Sequence, residues 1–148
     1  MSRNLYFYDQ IKLKDIFETR VYLIFFHFSI MLIVFKKKEI NFPQKNYDDL
    51  FHCIENDLRE LGLGDVAVNK RMKELNKIFY DILLKIKVDD SNNLIISKNI
   101  IFEHLFKNTK LSEEILIKIN DYFKNFYDFT FELDEAIVLK GQINYKYK

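Results

Sequence analysis

Two helical patterns meet at Gly62-Leu63-Gly64-Asp65, and this corner constrains the fold more than any other feature of the sequence. On both sides of it, apolar residues recur three or four positions apart, as they do along one face of a helix. Before the corner these residues are Tyr47, Leu50 or Phe51, Ile54, Leu58 and Leu61, and after it they are Val68, Met72, Leu75, Phe79, Ile82 and Ile86. The second set alternates steps of four and three, the spacing of a helix that packs along a partner. The segment predicts an antiparallel helix hairpin.

The residues of the corner suit the ends of two helices. Gly62 is able to take the left-handed backbone conformation that closes a helix C-terminus. Asp65 is able to accept hydrogen bonds from the first free amides of the next helix. We therefore expect one helix to run to about Leu61 and the next from Val66 to about Lys87.

Composition favours a single helical domain. Hydrophobic residues make up 49% of the 148 residues, with 15 Phe and 9 Tyr against only 3 Gly and 1 Pro. Such a chain is long enough to bury a core without disulfides and has few breaks between helices. We predict an all-α, compact bundle of about five to seven helices, built on a glycine-hinged hairpin, with residues 1–148 as one domain. The single cysteine, Cys53, forms no internal disulfide, which suits a reducing compartment.

The most apolar segment lies between Asp15 and Phe35. It contains the 15-residue run VYLIFFHFSIMLIVF, which is shorter than the roughly 20 residues of a membrane span and has His27 near its middle. We interpret it as the central buried helix, with a membrane-inserted helix as the alternative. We expect His27 to be a core histidine bonded to a nearby carbonyl or carboxylate, for instance that of Asp15 or Glu18.

The remaining elements follow from capping residues and periodicity. Asn46, after the break at Pro43, is the predicted N-cap of the first hairpin helix, and residues 89–93 are a predicted polar loop. A shorter helix is expected to use Leu94, Ile95, Ile101, Leu105 and Phe106 as its apolar residues, with a break from Thr109 to Ser112. Ser112 should cap the next helix, whose buried face contains Ile115, Ile119, Tyr122 or Phe123, and Phe126.

The tail from Thr130 to Lys148 mixes two patterns. FTFEL alternates like a short strand, and DEAIVLKG resembles a helical turn. INYKYK alternates again. We expect an ordered segment that lies over the bundle.

No recognised catalytic or metal-binding motif is present in the sequence. The glycine corner lacks the length and the lysine of a phosphate loop and follows a helix instead of a strand. His52 and Cys53 are adjacent, so they point about 100° apart on a helix, which favours a surface histidine and a small buried thiol. We therefore expect no catalytic residue, no metal and no cofactor, and hence a protein that is not an enzyme.

The hairpin helices carry opposite charge. Residues 66–87 have a net charge of +4 and residues 44–65 a net charge of −4. One interpretation is that the two helices attract each other along their flanks, although exposed ion pairs add little stability individually. The other is that Lys70, Arg71, Lys73 and Lys77 contact an acidic partner, ribosomal RNA or lipid phosphates. The formal charge of the whole chain is only +1, so no general attraction to DNA is expected.

Residues 58–80, LRELGLGDVAVNKRMKELNKIFY, resemble the central motif of the ubiquinol-cytochrome c chaperone family, the helical proteins related to the cytochrome b assembly factor. Weaker agreement occurs at Asp15, Phe17, Glu18, Arg20 and His27, and over residues 137–145. The resemblance implies a non-enzymatic chaperone for ubiquinol-cytochrome c reductase. It would bind newly made cytochrome b, or another membrane-protein client, near the membrane, and a small helper subunit is a further expected partner.

Within this hypothesis, the corner residues shape the client-binding face: Leu61, Gly62, Leu63, Gly64 and Asp65. The basic residues from Lys70 to Lys77 form its rim, and Asp15, Arg20 and His27 are structural. Residues 1–14 lack the apolar run of a signal peptide, so we expect a cytoplasmic protein with peripheral contact at the inner membrane, on the matrix side in a mitochondrion. Two alternatives use the same features: a module that binds RNA or the ribosome through the basic patch, and a carrier of a lipophilic, quinone-like ligand with a closed apolar cavity near His27.

Overall fold

Helices make up 68% of the computed structural model, which describes residues 1–107 and 110–147. Seven helices lie in these described residues. They are a π-helical turn at Tyr6–Gln10 followed by α1 Phe17–Lys37, α2 Gln44–Glu60, α3 Asp65–Lys85, α4 Lys98–Leu105, α5 Glu113–Glu132 and α6 Glu135–Leu139. The predicted helical bundle is confirmed. The structure adds one short antiparallel sheet, β1 Ile86–Val88 paired with β2 Leu94–Ile96, that the sequence did not predict.

Helix α1 is the central helix, as predicted. It packs against α3, α4, α5 and β1, and every residue from Phe25 to Ile30 is buried. By length and composition it could also cross a membrane, but 61% of its most apolar window is buried inside the protein. Burial around the whole helix explains why its sequence is apolar on all sides.

The helix hairpin is formed by α2 and α3. Tyr47 near the start of α2 and Phe51 one turn later pack against Phe79 near the end of α3, with ring centroids 5.9 and 5.4 Å apart. Residues early in one helix therefore meet residues late in the other, which is the antiparallel arrangement. The predicted α3 seam is also confirmed, because Val68, Leu75 and Phe79 are fully buried.

Gly62 ends α2 in the way that the sequence predicts. Its φ is +89°, its amide donates to the Arg59 carbonyl at 2.9 Å, and the amide of Leu63 donates to the Leu58 carbonyl at 3.3 Å. These two bonds define a Schellman motif, in which the residue after the C-cap takes a left-handed conformation. The hinge of the hairpin is thus set by local backbone chemistry.

Three predicted helix boundaries are wrong. Asp65 is the first residue of α3 instead of its cap, and the N-cap, Gly64, offers no side-chain hydrogen bond. Asn46 lies inside α2, which Pro43 precedes as N-cap, and its side-chain amide donates to the Leu139 carbonyl at 3.0 Å. Lys87 is in β1, not in α3.

The loop at residues 89–93 closes a β-hairpin. Asp89 accepts a hydrogen bond from the amide of Asn93 at 2.8 Å, and Asn92 has a φ of +61°. Leu94 and Ile95, which we assigned to the following helix, instead form β2. That helix, α4, begins only after Ser97.

The C-terminal part of the chain agrees with the sequence in most places. Ser112 caps α5, accepting from the amide of Ile115 at 3.3 Å, whereas Thr109, where the break was predicted to begin, lies outside the described residues. The predicted FTFEL strand is wrong, because residues 129–132 complete α5. The predicted helical turn is α6. Residues 142–147 are ordered coil, with Tyr145 and Tyr147 packed against the core.

Candidate partner-binding surface on helix α3

Helix α3 has one exposed face that runs along its entire length. Six residues on this face alternate in steps of four and three, so they lie within a narrow stripe opposite the buried seam. They are Val66, Lys70, Lys73, Lys77, Tyr80 and Leu84, and all six are exposed. We call this set the outer face of α3. Three lysines occupy its middle, and apolar side chains occupy both ends.

The apolar ends of the outer face are unusually open to solvent. Val66 is 85% exposed, Leu84 is 72% exposed and Tyr80 is 52% exposed. Tyr80 and Leu84 lie one helical turn apart, and adjacent exposed apolar side chains rimmed by polar ones are typical of surfaces that bind another molecule. The outer face therefore qualifies as a candidate interface on its own geometry.

The three lysines are free of ion pairs within the part of the chain that the structure describes. The ion pairs of α3 involve other residues: Arg71 contacts Glu74 at 3.0 Å, and Lys85 contacts Asp81 at 2.7 Å. Lys70, Lys73 and Lys77 thus present uncompensated positive charge to solvent. Arg71, which we grouped with them, points elsewhere: it is half-buried and reaches Glu18 at the start of α1, 3.6 Å away.

The predicted attraction between basic α3 and acidic α2 is not what holds these helices together. Across residues 1–107 and 110–147, no ion pair links a cation of α3 to a carboxylate of α2. In the ion pair that does connect the helices, the cation belongs to α2 and the carboxylate to α3, because Arg59 donates to Asp65. Arg59 also contacts Glu55 at 2.7 Å. Apolar packing joins the hairpin, so the lysines remain available.

The corner beside the outer face is exposed. Leu61 is 59% exposed, whereas Leu63 is partly buried against the core. Gly62, Gly64 and Asp65 are also exposed. Leu61 and Val66 therefore flank the turn with apolar side chains in solvent. These placements fit the predicted client-binding role of the corner, which stays a prediction.

His27 is a core residue bonded to a nearby carbonyl, as predicted, but neither of the carboxylates that we suggested is its partner. Its Nδ1 donates to the Leu23 carbonyl at 2.6 Å, and its Nε2 accepts from the hydroxyl of Tyr122 at 2.9 Å. Burial lowers the pKa of His27 to about 3, so the ring is neutral at physiological pH. Asp15 and Glu18 are not its partners; Asp15 instead accepts from Arg20 at 2.6 Å, which lowers the pKa of that carboxyl group.

A second cluster of titratable residues lies between α3 and α4 and contains Asp81, Lys85, Glu103 and His104. It is a hydrogen-bonded group and not an evident reaction centre. Nε2 of the buried His104 lies 3.0 Å from Asp81, which Lys85 also contacts, and Glu103 lies close enough to bring three potential metal-ligand atoms within 4.8 Å. Burial raises the pKa of Asp81, but the bonds from Lys85 and His104 outweigh it and lower the pKa overall. Lys85 pairs with Asp81, and the bond between His104 and Asp81 links α3 to α4.

The predicted burial of Cys53 is wrong. It is exposed and not buried, because α2 buries Phe51, Ile54 and Leu58 and so turns residue 53 outward. His52 is a surface histidine, as expected. The adjacent pair does not converge on one site.

Sequence reasoning found the lysines of the outer face but missed its apolar ends. Tyr80 and Leu84 continue the same spacing of four and three that begins at Val66. The same periodicity rule, applied to the face of α3 opposite the buried seam, identifies them.

A helical protein whose candidate site is an exposed basic and apolar face belongs to the class of proteins that act by binding other macromolecules. The model of the ubiquinol-cytochrome C chaperone family matches residues 9–91, more than half of the chain. The chain belongs to this family, and a chaperone role in complex assembly follows. No curated protein and no solved structure shows a significant match to the chain.

The family match covers α1, the hairpin and the outer face of α3. The predicted family membership is thereby confirmed. Residues 137–145, which also resembled the family, lie outside the matched segment. The candidate surface is therefore located in the part of the chain that the family defines.

Proposed function

We propose that this protein is a non-enzymatic assembly chaperone that holds newly made cytochrome b until the other subunits of ubiquinol-cytochrome c reductase join it. It acts in the cytoplasm at the surface of the inner membrane, or on the matrix side in a mitochondrion. Family membership supports the role, and the outer face of α3 is the observation that supports the mode of binding. This face belongs to the matched segment, and its three lysines form no ion pair with the described residues.

The chemistry of the outer face suits a segment of a membrane protein. From Val66 to Tyr80 the face spans about 21 Å, since a helix rises about 1.5 Å per residue. An apolar client segment is able to contact the exposed ends, while the lysines pair with acidic side chains or lipid phosphates beside it. Individually weak contacts of this kind suit a chaperone, which must release its client.

The proposal is tested by complementing a deletion strain that depends on ubiquinol-cytochrome c reductase. A variant with Lys70→Glu, Lys73→Glu and Lys77→Glu should fail to restore the assembled complex and should no longer co-purify with cytochrome b. Its melting temperature should fall only slightly, because exposed lysines without ion pairs contribute little stability and the like charges introduced beside Glu74 and Asp81 cost about 0.2–0.5 kcal/mol per pair.

The matched control reverses three other exposed lysines, with Lys98→Glu, Lys124→Glu and Lys140→Glu, and so changes the net charge by the same amount. This variant should support assembly. If the α3 variant also assembles the complex and retains cytochrome b, the proposal is wrong.

The free lysines also favour a second candidate, a module that binds ribosomal RNA. Neutralising three phosphates would make the logarithm of the binding constant fall with that of salt concentration with a slope of roughly −2 to −3. Val66→Ser with Leu84→Ser separates the two candidates. This variant should weaken binding of a cytochrome b segment several-fold, and it should leave RNA binding unchanged if RNA is the true ligand.

A further inference from the structure

A cleft that shares no residue with the outer face of α3 lies between α1, α2 and α6. Its volume is about 330 Å³, at the lower end of the range of small-molecule pockets. Six apolar side chains form half of its lining. They are Ile24, Phe28 and Met31 of α1, Phe42 of the following loop, Leu50 of α2 and Val138 of α6.

The cleft is partly open and has a buried floor. Phe28 and Val138 are buried, whereas Met31, Phe42 and Leu50 are half-buried along its walls. Ile24, Phe28 and Met31 follow one another at steps of four and three, so α1 presents them on one side. The partly exposed wall residues leave a molecule free access to the floor.

The two polar side chains that α1 and α2 contribute to the cleft already have partners. His27 uses both ring nitrogens within the core, and the side-chain amide of Asn46 donates across the cleft to the Leu139 carbonyl. None of the lining side chains is charged at neutral pH, and burial lowers the pKa of the Met1 amino group at the edge. Away from the Ser2 hydroxyl and the Met1 amino group, a polar group that enters the cleft loses its water without gaining a hydrogen bond, which costs about 1–3 kcal/mol.

This chemistry decides between possible occupants. A peptide segment would bring backbone amides and carbonyls that find few partners in the cleft, whereas an aliphatic chain brings none. We infer that the cleft between α1, α2 and α6 binds one aliphatic chain of a lipid, either an acyl chain or a prenyl chain, with its headgroup left in solvent. The site is separate from the outer face of α3, so it goes beyond client binding and provides a contact with lipid.

The sequence contains no tryptophan, so one introduced tryptophan is a unique fluorophore. Leu50→Trp places the indole on the cleft wall, and Leu84→Trp places it on the outer face of α3 as a control. Dibrominated methyl stearate, added at monomeric concentration, should quench the cleft indole in a saturable manner and leave the control indole unaffected. Decylubiquinone or unbrominated methyl stearate should compete, and which of them competes better distinguishes a prenyl-type lipid from an acyl lipid.

Blocking the cleft gives an independent test. In the Leu50→Trp background, Met31→Lys introduces a charge on the opposite wall and should weaken binding of the brominated chain at least tenfold, whereas Ile117→Lys, at an exposed position of α5, should not. Circular dichroism melts establish that both variants are folded. Equal quenching of the cleft indole and the control indole, or unchanged affinity after Met31→Lys, would overturn the inference. So would quenching of the cleft indole by a brominated client peptide but not by the brominated ester.

Discussion

The hydroxyl of Tyr122 donates a hydrogen bond to Nε2 of His27 across 2.9 Å, and this contact joins α5 to α1 inside the core. Phe7, Phe123 and Phe126 surround the imidazole edge-on, with ring centroids between 4.7 and 6.0 Å from it. A neutral histidine with both nitrogens bonded is the only form that this environment accommodates without cost. The pair therefore makes the stability of the bundle depend on one hydroxyl group and on pH.

Tyr122→Phe should lower the free energy of unfolding by about 1–3 kcal/mol, because it leaves a buried acceptor on His27 without a donor. Chemical denaturation followed by circular dichroism measures the change. The control is Tyr127→Phe, which removes a hydroxyl that donates to the exposed side chain of Asn92 at 2.7 Å. Water replaces that bond easily, so the control should lose less than about 1 kcal/mol.

Acid should destabilise the protein through His27. The folded pKa of about 3 lies below the ordinary value of 6.5, so the unfolded state binds the proton more tightly. This contribution to stability is complete above about pH 6.5 and declines as pH falls toward 3, by at most about 1.4 kcal/mol per pH unit. Denaturation midpoints measured between pH 4 and 7 should show it.

The double variant His27→Leu with Tyr122→Phe isolates that effect, since it removes both hydrogen-bonding partners together. Its stability should decline less steeply between pH 6.5 and pH 5, where most carboxylates stay ionised. His52→Gln, at an exposed histidine, should keep the wild-type slope. Parallel pH profiles for the wild type and the double variant would show that His27 does not titrate in this way.

Gly62→Ala should cost about 1–2 kcal/mol of stability. No heavy atom lies within 4 Å of the position that a Cβ would occupy, so the cost comes from the backbone φ of +89° and not from a clash. Gly64→Ser is the matched substitution two residues further on, where φ is negative and the N-cap has no side-chain bond. It should raise stability by a few tenths of a kcal/mol, because serine caps a helix only slightly better than glycine. A loss at Gly64 equal to that at Gly62 would contradict this account of the hinge.

Ser29→Ala should raise the free energy of unfolding by about 0.5–1 kcal/mol. The Ser29 hydroxyl is fully buried on α1 and has no hydrogen-bond partner among the described residues, so its removal eliminates a desolvation penalty. Thr130→Val is the contrast, because the Thr130 hydroxyl donates to the Phe126 carbonyl at 2.8 Å. That variant should be neutral or slightly destabilised in the same denaturation assay.

Features encoded within a few residues were predictable. Gly62 and Ser112 each act on amides or carbonyls one turn away, so their roles follow from the local sequence. The seam from Val68 to Ile82 was readable for the same reason, because its period is that of a single helix, whereas Ile86 lies in β1. The boundaries were less predictable: Lys87 and Leu94 each continue a helical pattern, yet Lys87 pairs with Ile95 and Leu94 with Val88 across a tight turn, which makes these segments strands.

The sequence by itself determined the hinge, the helical faces and the resemblance to a family, because each depends on neighbours along the chain. Only the tertiary structure decided that Tyr122, 95 residues from His27, is its partner. It also decided that residues 129–132, most of the FTFEL segment, continue α5. In that helix Thr130 is buried, and Phe129 and Phe131 are half-buried. The tertiary structure likewise decided that the cleft exists and that Lys70, Lys73 and Lys77 have no ion pair among the described residues. Whether a side chain is covered or paired depends on which elements pack beside it, and that information is spread over the whole chain.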